Sequence, residues 1–128
     1  MSDRIPEWVI RYLSIPYEQV NCWDLVEKVY AAEYGIAIGG KSEQSQKMKS
    51  KEWVDVLMNG LGFLEGDVIL FRERVMKKHV AILLTPNLML HSHNPGTNSC
   101  IELWESAKWR SRVVSIYRHK SRCKSQDN

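Results

Sequence analysis

The stretch Gly66-Asp-Val-Ile-Leu-Phe-Arg72 decides the fold, because here the apolar residues stop recurring at helical intervals and run together. Glycine followed by aspartate signals a turn, and the β-branched and aromatic residues after it favour a pleated strand. From this point the chain reads as short strands: Asp67 to Phe71, His79 to Leu84, Leu88 to His91, Ile101 to Leu103 and Val113 to Tyr117, separated by Pro, Gly and Asn signals.

Upstream of Gly66 the period is helical. Trp8, Val9, Tyr12 and Leu13 follow Pro6 at helical spacing, which predicts a short helix that ends at Ile15-Pro16, since a residue before proline avoids the helical region. Asn21 is a favoured N-cap, and Cys22, Leu25, Val26 and Val29 form one apolar face of a second helix that Gly35 stops. After Gly39-Gly40-Lys41, the polar stretch Ser42 to Lys51 leads into Trp53, Val54, Leu57 and Met58, predicting a third helix closed by Asn59-Gly60. Helices first and strands afterwards predict an α+β fold, with N-terminal helices packed on a mainly antiparallel sheet.

The 128 residues, 44% hydrophobic with five Trp, suffice for one core, so a single domain over residues 1–119 is expected. Residues 120–128 are polar and mixed in charge and are expected to be a disordered tail. No run approaches the roughly 18 apolar residues of a membrane span. The start, Met1-Ser-Asp-Arg-Ile-Pro, lacks a signal-like apolar run, so synthesis in the cytosol is expected. A net charge of +3 is too small to identify an anionic partner. Arg110, Arg112, Arg118, Lys120, Arg122 and Lys124 read as a solvated face or as a basic rim. Trp23 and Trp53 read as core, and Trp104 with Trp109 as cover for a sheet edge or a partner surface.

Three cysteines without CxxC spacing, Cys22, Cys100 and Cys123, suggest neither a disulfide framework nor a cysteine zinc motif. Cys22 stands apart because it occupies a helix first turn, where unpaired N–H groups and the helix dipole stabilise a thiolate. Its other reading is a packed core thiol. His79 opens one predicted strand, and His91 and His93 lie on and just after the next, with Thr85-Pro-Asn as the hairpin turn. If Leu84 pairs with Leu88, the period of two puts all three imidazoles on one face, offering a base and an orienting partner. Solvated or structural histidines, and a zinc site made by Cys22, His79 and a later histidine, are the alternatives.

Three stretches carry a resemblance: Trp8 to Tyr17, Asn21-Cys-Trp-Asp-Leu-Val-Glu-Lys-Val-Tyr30, and Gly66-Asp-Val-Ile-Leu-Phe-Arg72. With Lys78-His-Val-Ala-Ile-Leu-Leu84 and Leu90-His-Ser92, in this order, the chain resembles the NlpC family of papain-like cell-wall cysteine peptidases from about Pro6 to Arg118. The resemblance is particularly to the small forms found in bacteriophage tail proteins. The resemblance implies a papain-like fold, with Cys22 as nucleophile, His79 as base, His91 as third catalytic residue, and Tyr17 and His93 on the substrate side. His93 remains an alternative to His91. It also implies hydrolysis of amide bonds in peptidoglycan peptide stems, a place in the virion tail beside other tail-tip or baseplate proteins, no nucleic acid, and no cofactor or metal. The rival functions are an inactive structural tail-tip protein and a papain-like acyltransferase or deacylase. Three departures stand out: Asn21 in place of an acidic residue, Asp24 in place of glycine, and only Glu18-Gln-Val-Asn21 where a Gly-rich loop is usual.

Overall fold

The computed structural model describes residues 2–39, 48, 51–74 and 77–123. A 3-10 helix, Glu7–Tyr12, precedes helix α1, Cys22–Glu33. Strands β1, Trp53–Asp55, β2, Val68–Arg74, β3, Lys77–Leu83, β4, Leu88–His91, and β5, Cys100–Leu103, follow. A short helix α2, Ala107–Arg110, then strand β6, Val113–His119, complete the fold. The six strands form one antiparallel sheet in the order β1-β6-β2-β3-β4-β5. This is the α+β architecture with a mainly antiparallel sheet that the sequence predicts.

Both faces of the sheet are buried, which explains why Val68–Phe71 and Val80–Leu84 read as continuous apolar runs instead of alternating with polar residues. On one face Val68, Leu70, Val80, Ile82, Leu84 and Leu90 pack with Leu25, Val26, Val29 and Tyr30 of α1. On the other face Ile69, Phe71, Ala81, Leu83, Met89 and Ile116 pack with Val56, Trp104 and Trp109. Each such aliphatic side chain, taken fully out of water, contributes about 1.5–3 kcal/mol to folding before entropy is counted.

The third predicted helix is absent where it can be described. Trp53–Asp55 instead pairs with β6, opposing His119, Arg118 and Tyr117. The Trp53 ring packs on Tyr30 and His119, at 5.8 and 5.1 Å, so edge pairing and aromatic contact outweigh helical spacing. Beyond β1 the Asp55 carboxylate accepts from the Met58 N–H and Asn59 donates to the Asp55 carbonyl, closing a turn that leaves Leu57 and Met58 exposed. Of the predicted exposed half, residues 42–47, 49 and 50 lie outside the described residues.

One further boundary differs. The first helix is a 3-10 turn that ends at Tyr12, before Ile15-Pro16. Within the stretch expected to be a tail, Lys120–Arg122 form a 3-10 turn in which Arg122 donates to the Glu65 carbonyl at 2.6 Å and covers the Tyr34 ring. Residues 124–128 lie outside the described ones.

Gly66-Asp67 locks the sheet. Gly66 has φ +94°, and a Cβ there would lie 2.4 Å from Arg122 Nη1 and 2.8 Å from Tyr34 Oη, so only glycine fits. Buried Asp67 accepts from Arg118 Nε and Nη2 at 2.8 and 2.9 Å, tying the start of β2 to β6. Arg118 is therefore an internal ion-pair member and not part of a basic rim. Trp104 and Trp109 are also internal: both are buried, in the face opposite α1.

Candidate active site

Helix α1 lies over β3 and is anchored at both ends. Near its C-terminus the Tyr30 hydroxyl donates to the Gly66 carbonyl, where β3 finishes and β2 starts. Its N-terminus therefore reaches the opposite end of the sheet, where β3 begins and β4 finishes. There the Ser92 hydroxyl donates to the Val20 carbonyl at 2.8 Å, holding the approach to Cys22 against the end of β4. The segment Ser14 to Tyr17, ahead of the short loop, is laced to Thr97 and Ser99 by backbone bonds: Ser14 donates to Ser99, Tyr17 to Thr97 and Ser99 to Ile15.

Cys22 is the first residue of α1 and is buried. The two departures around it form a matched pair. Asn21 Oδ1 accepts the Asp24 N–H at 3.0 Å while the Asp24 carboxylate accepts the Asn21 N–H at 3.4 Å, a reciprocal capping box. The Asp24 charge is thereby committed to the helix N-terminus, where it complements the dipole.

His79, His91 and His93 gather on one face, with ring centroids 4.8–6.0 Å apart. The hairpin register that produces this pairs Ile82 with Leu90 and Leu83 with Met89, and Leu84 donates to Leu88. His79 Nε2 lies 2.8 Å from His91 Nδ1, and His91 Nε2 lies 2.7 Å from Glu102 Oε1. His93 pairs instead with Glu73. The face is the one that Phe71, Ala81 and Leu83 share, on the far side of the sheet from α1. Cys22, at the start of α1, and His79, near the start of β3, share one end of the sheet.

Trp109 fills the centre of this cluster. It stacks on His79 at 5.4 Å and meets His91 and His93 edge-on at 5.2 and 4.6 Å, while Lys108 and Arg112 flank its ring. The wholly buried indole keeps bulk water from the imidazole contacts.

His91 is held below the ordinary imidazole pKa, chiefly by burial and further by His93 and Lys108, against an opposing pull from Glu102. It is therefore largely neutral at neutral pH. The Tyr17 hydroxyl is pushed up, first by burial and then by Cys22, Glu73, Asp24 and Glu18. Tyr17 thus keeps its proton and lies within electrostatic reach of both Cys22 and the Glu73 that pairs with His93.

Among the described residues, the donors that could share one metal ion are His91, Cys100 and Glu102, not Cys22 with His79 and a later histidine. The 2.7 Å His91–Glu102 separation is a hydrogen-bond distance, closer than the roughly 3.3 Å that two ligands on a zinc ion with 2.0–2.1 Å bonds keep between them. His79, His91 and Glu102 form a hydrogen-bonded chain.

Sequence reasoning missed Glu73, Glu102 and the inward Trp109. Glu102 carried no signal in the sequence, because it reaches the histidine face only through the pairing of β5 with β4, where it stands opposite Met89.

A family model described as NlpC/P60 family matches residues 11–118. A solved structure with a similar fold is a protein described as similar to a lipoprotein of the NLP/P60 family, from Staphylococcus aureus subsp. aureus Mu50. It superposes with a TM-score of 0.64 at 19% identity, over 86% of this chain and 38% of that one. The present chain thus spans well under half the length of that relative. A search by sequence against curated proteins finds no match.

Proposed function

The chain belongs to the NlpC/P60 family, and from that premise we propose that it is a cysteine peptidase that cleaves amide bonds in the peptide stems of peptidoglycan, with Cys22 as nucleophile. Members of this family are usually cell-wall peptidases. The observation that carries the reading is the 2.8 Å contact between His79 and His91 at the end of the sheet where α1 presents Cys22.

In the proposed reaction His79 takes the thiol proton of Cys22 and the thiolate sulfur attacks the scissile carbonyl carbon. The Cys22 backbone N–H and the still-protonated Tyr17 hydroxyl hold the oxyanion. When the C–N bond breaks, His79 returns the proton to the leaving amine. Water, deprotonated by His79, then attacks the thioester and releases the acid together with Cys22. His91 holds the His79 ring in place throughout, Trp109 covers the pair, and His93 with Glu73 lines the substrate side.

The finer reading, service in a phage tail beside other tail-tip or baseplate proteins, rests on the sequence resemblance to small tail-associated forms. Commitment of Asp24 to the capping box removes one reason for regarding the chain as an inactive structural relative.

Cys22→Ala is expected to abolish release of new amino groups from purified peptidoglycan while its circular dichroism matches the parent. Undiminished release by that variant would remove Cys22 from the mechanism.

A further inference from the structure

We propose that Glu102 is a positioning residue that sets the tautomers of both His91 and His79, so that the proton-accepting nitrogen of His79 is Nδ1. The inference deepens the peptidase reading and rests on it for its effect on rate.

The number of protons on each ring fixes the order of donors. A neutral imidazole has one N–H and one lone pair, whereas a carboxylate has lone pairs only. The 2.7 Å contact with Glu102 therefore requires the Nε2–H of His91 to donate. His91 Nδ1 is left as an acceptor, and the 2.8 Å contact beside it requires the Nε2–H of His79 to donate in turn. The lone pair of His79 then resides on Nδ1, which makes Nδ1 the nitrogen that takes the thiol proton. On becoming an imidazolium, His79 keeps its Nε2–H bond to His91.

Remove the carboxylate and the order of donors can reverse. His91 can then carry its proton on Nδ1 and donate to His79 Nε2, which moves the His79 proton to Nδ1 and blocks the base. Carboxylates that orient metal-binding histidines through their second ring nitrogen contribute about 10- to 100-fold, and an effect of that order is expected here.

Position favours a clean test. Glu102 lies on β5, an edge strand, and its side chain is 38% exposed, so its loss leaves no buried cavity. Trp109 and Phe71 hold the His79 ring by stacking whether or not Glu102 is present.

Glu102→Leu is expected to lower kcat on peptidoglycan fragments by about 10- to 100-fold with KM changed less than about twofold. Glu102→Gln, whose side-chain carbonyl can accept the same proton, is expected to restore most of that loss. Long-range ¹⁵N–¹H spectra of the imidazoles, recorded in a Cys22→Ala background, read the tautomers without any need for activity. They are expected to show His91 protonated at Nε2 when Glu102 is intact and in the Glu102→Gln variant, and a mixture or reversal in Glu102→Leu. An unchanged His91 tautomer in the Leu variant, or a Gln variant as impaired as the Leu one, overturns the proposal. If Cys22→Ala keeps its activity the peptidase reading fails, and the tautomer spectra still decide the role of Glu102.

Discussion

Cys22 and Cys100 are expected to invert the usual link between exposure and reactivity if Cys22 is the nucleophile proposed above. Cys100 is exposed, but its thiol is pushed up by partial burial and by the Glu102 charge, so it holds little thiolate at neutral pH. Cys22 is buried, yet it sits at the positive end of α1, at the sheet end that carries the imidazoles. In limited iodoacetamide at neutral pH, Cys22 is expected to be alkylated before Cys100 and Cys123, as read by peptide mass spectrometry. Labelling in order of exposure would show that Cys22 is a core thiol. At this scale the sequence was informative wherever a residue's meaning came from its immediate neighbours: Cys22 from Asn21 and the helix face, Gly66 from the turn it opens. Arg118 and Trp109 were misread because their partners, Asp67 and the imidazoles, are remote in the chain.

Helix α1 is the element on which the candidate site depends, and its N-terminus is secured by side chains. Asn21 and Asp24 satisfy each other's backbone N–H groups, so Asn21→Ala is expected to cost about 1 kcal/mol in urea denaturation. Asn21→Asp, which keeps a capping oxygen, should stay close to the parent, and equal loss in both variants would mean that the cap carries no energy. The β3–β4 hairpin was equally readable, since Thr85-Pro-Asn fixes the turn and the period of two fixes the shared face of the histidines. β1 was not readable. Its three residues have helical spacing with their neighbours, and only the edge of β6 and the ring of Tyr30 make them a strand.

For the whole molecule, burial of polar groups links stability to pH. His91 and His119 both have imidazole pKa values lowered from 6.5, mainly by burial. The unfolded chain then binds protons that the folded chain refuses, so their contribution is complete above pH about 6.5 and is lost as pH falls below it. Thermal scans between about pH 7.5 and 5.5 are expected to show Tm falling on the acid side, with His119→Gln removing part of the slope. A flat Tm across that window would contradict the burial of these rings.

The sequence by itself determined what short-range physics can specify: the capped helix that begins at Cys22, the change to strands at Gly66, the hairpin register and the α+β class that follows from their order. Tertiary structure alone decided which face of the sheet the imidazoles occupy, which histidine His79 bonds, and that Glu102, Glu73 and Trp109 surround them. These outcomes depend on strand order. β5 must lie beside β4 for Glu102 to reach His91, and α2 must fold back over β2 and β3 for Trp109 to meet the rings. Periodicity records which residues point the same way along one strand. It does not record which strand comes to lie alongside, because that is settled only when the whole apolar surface is buried together.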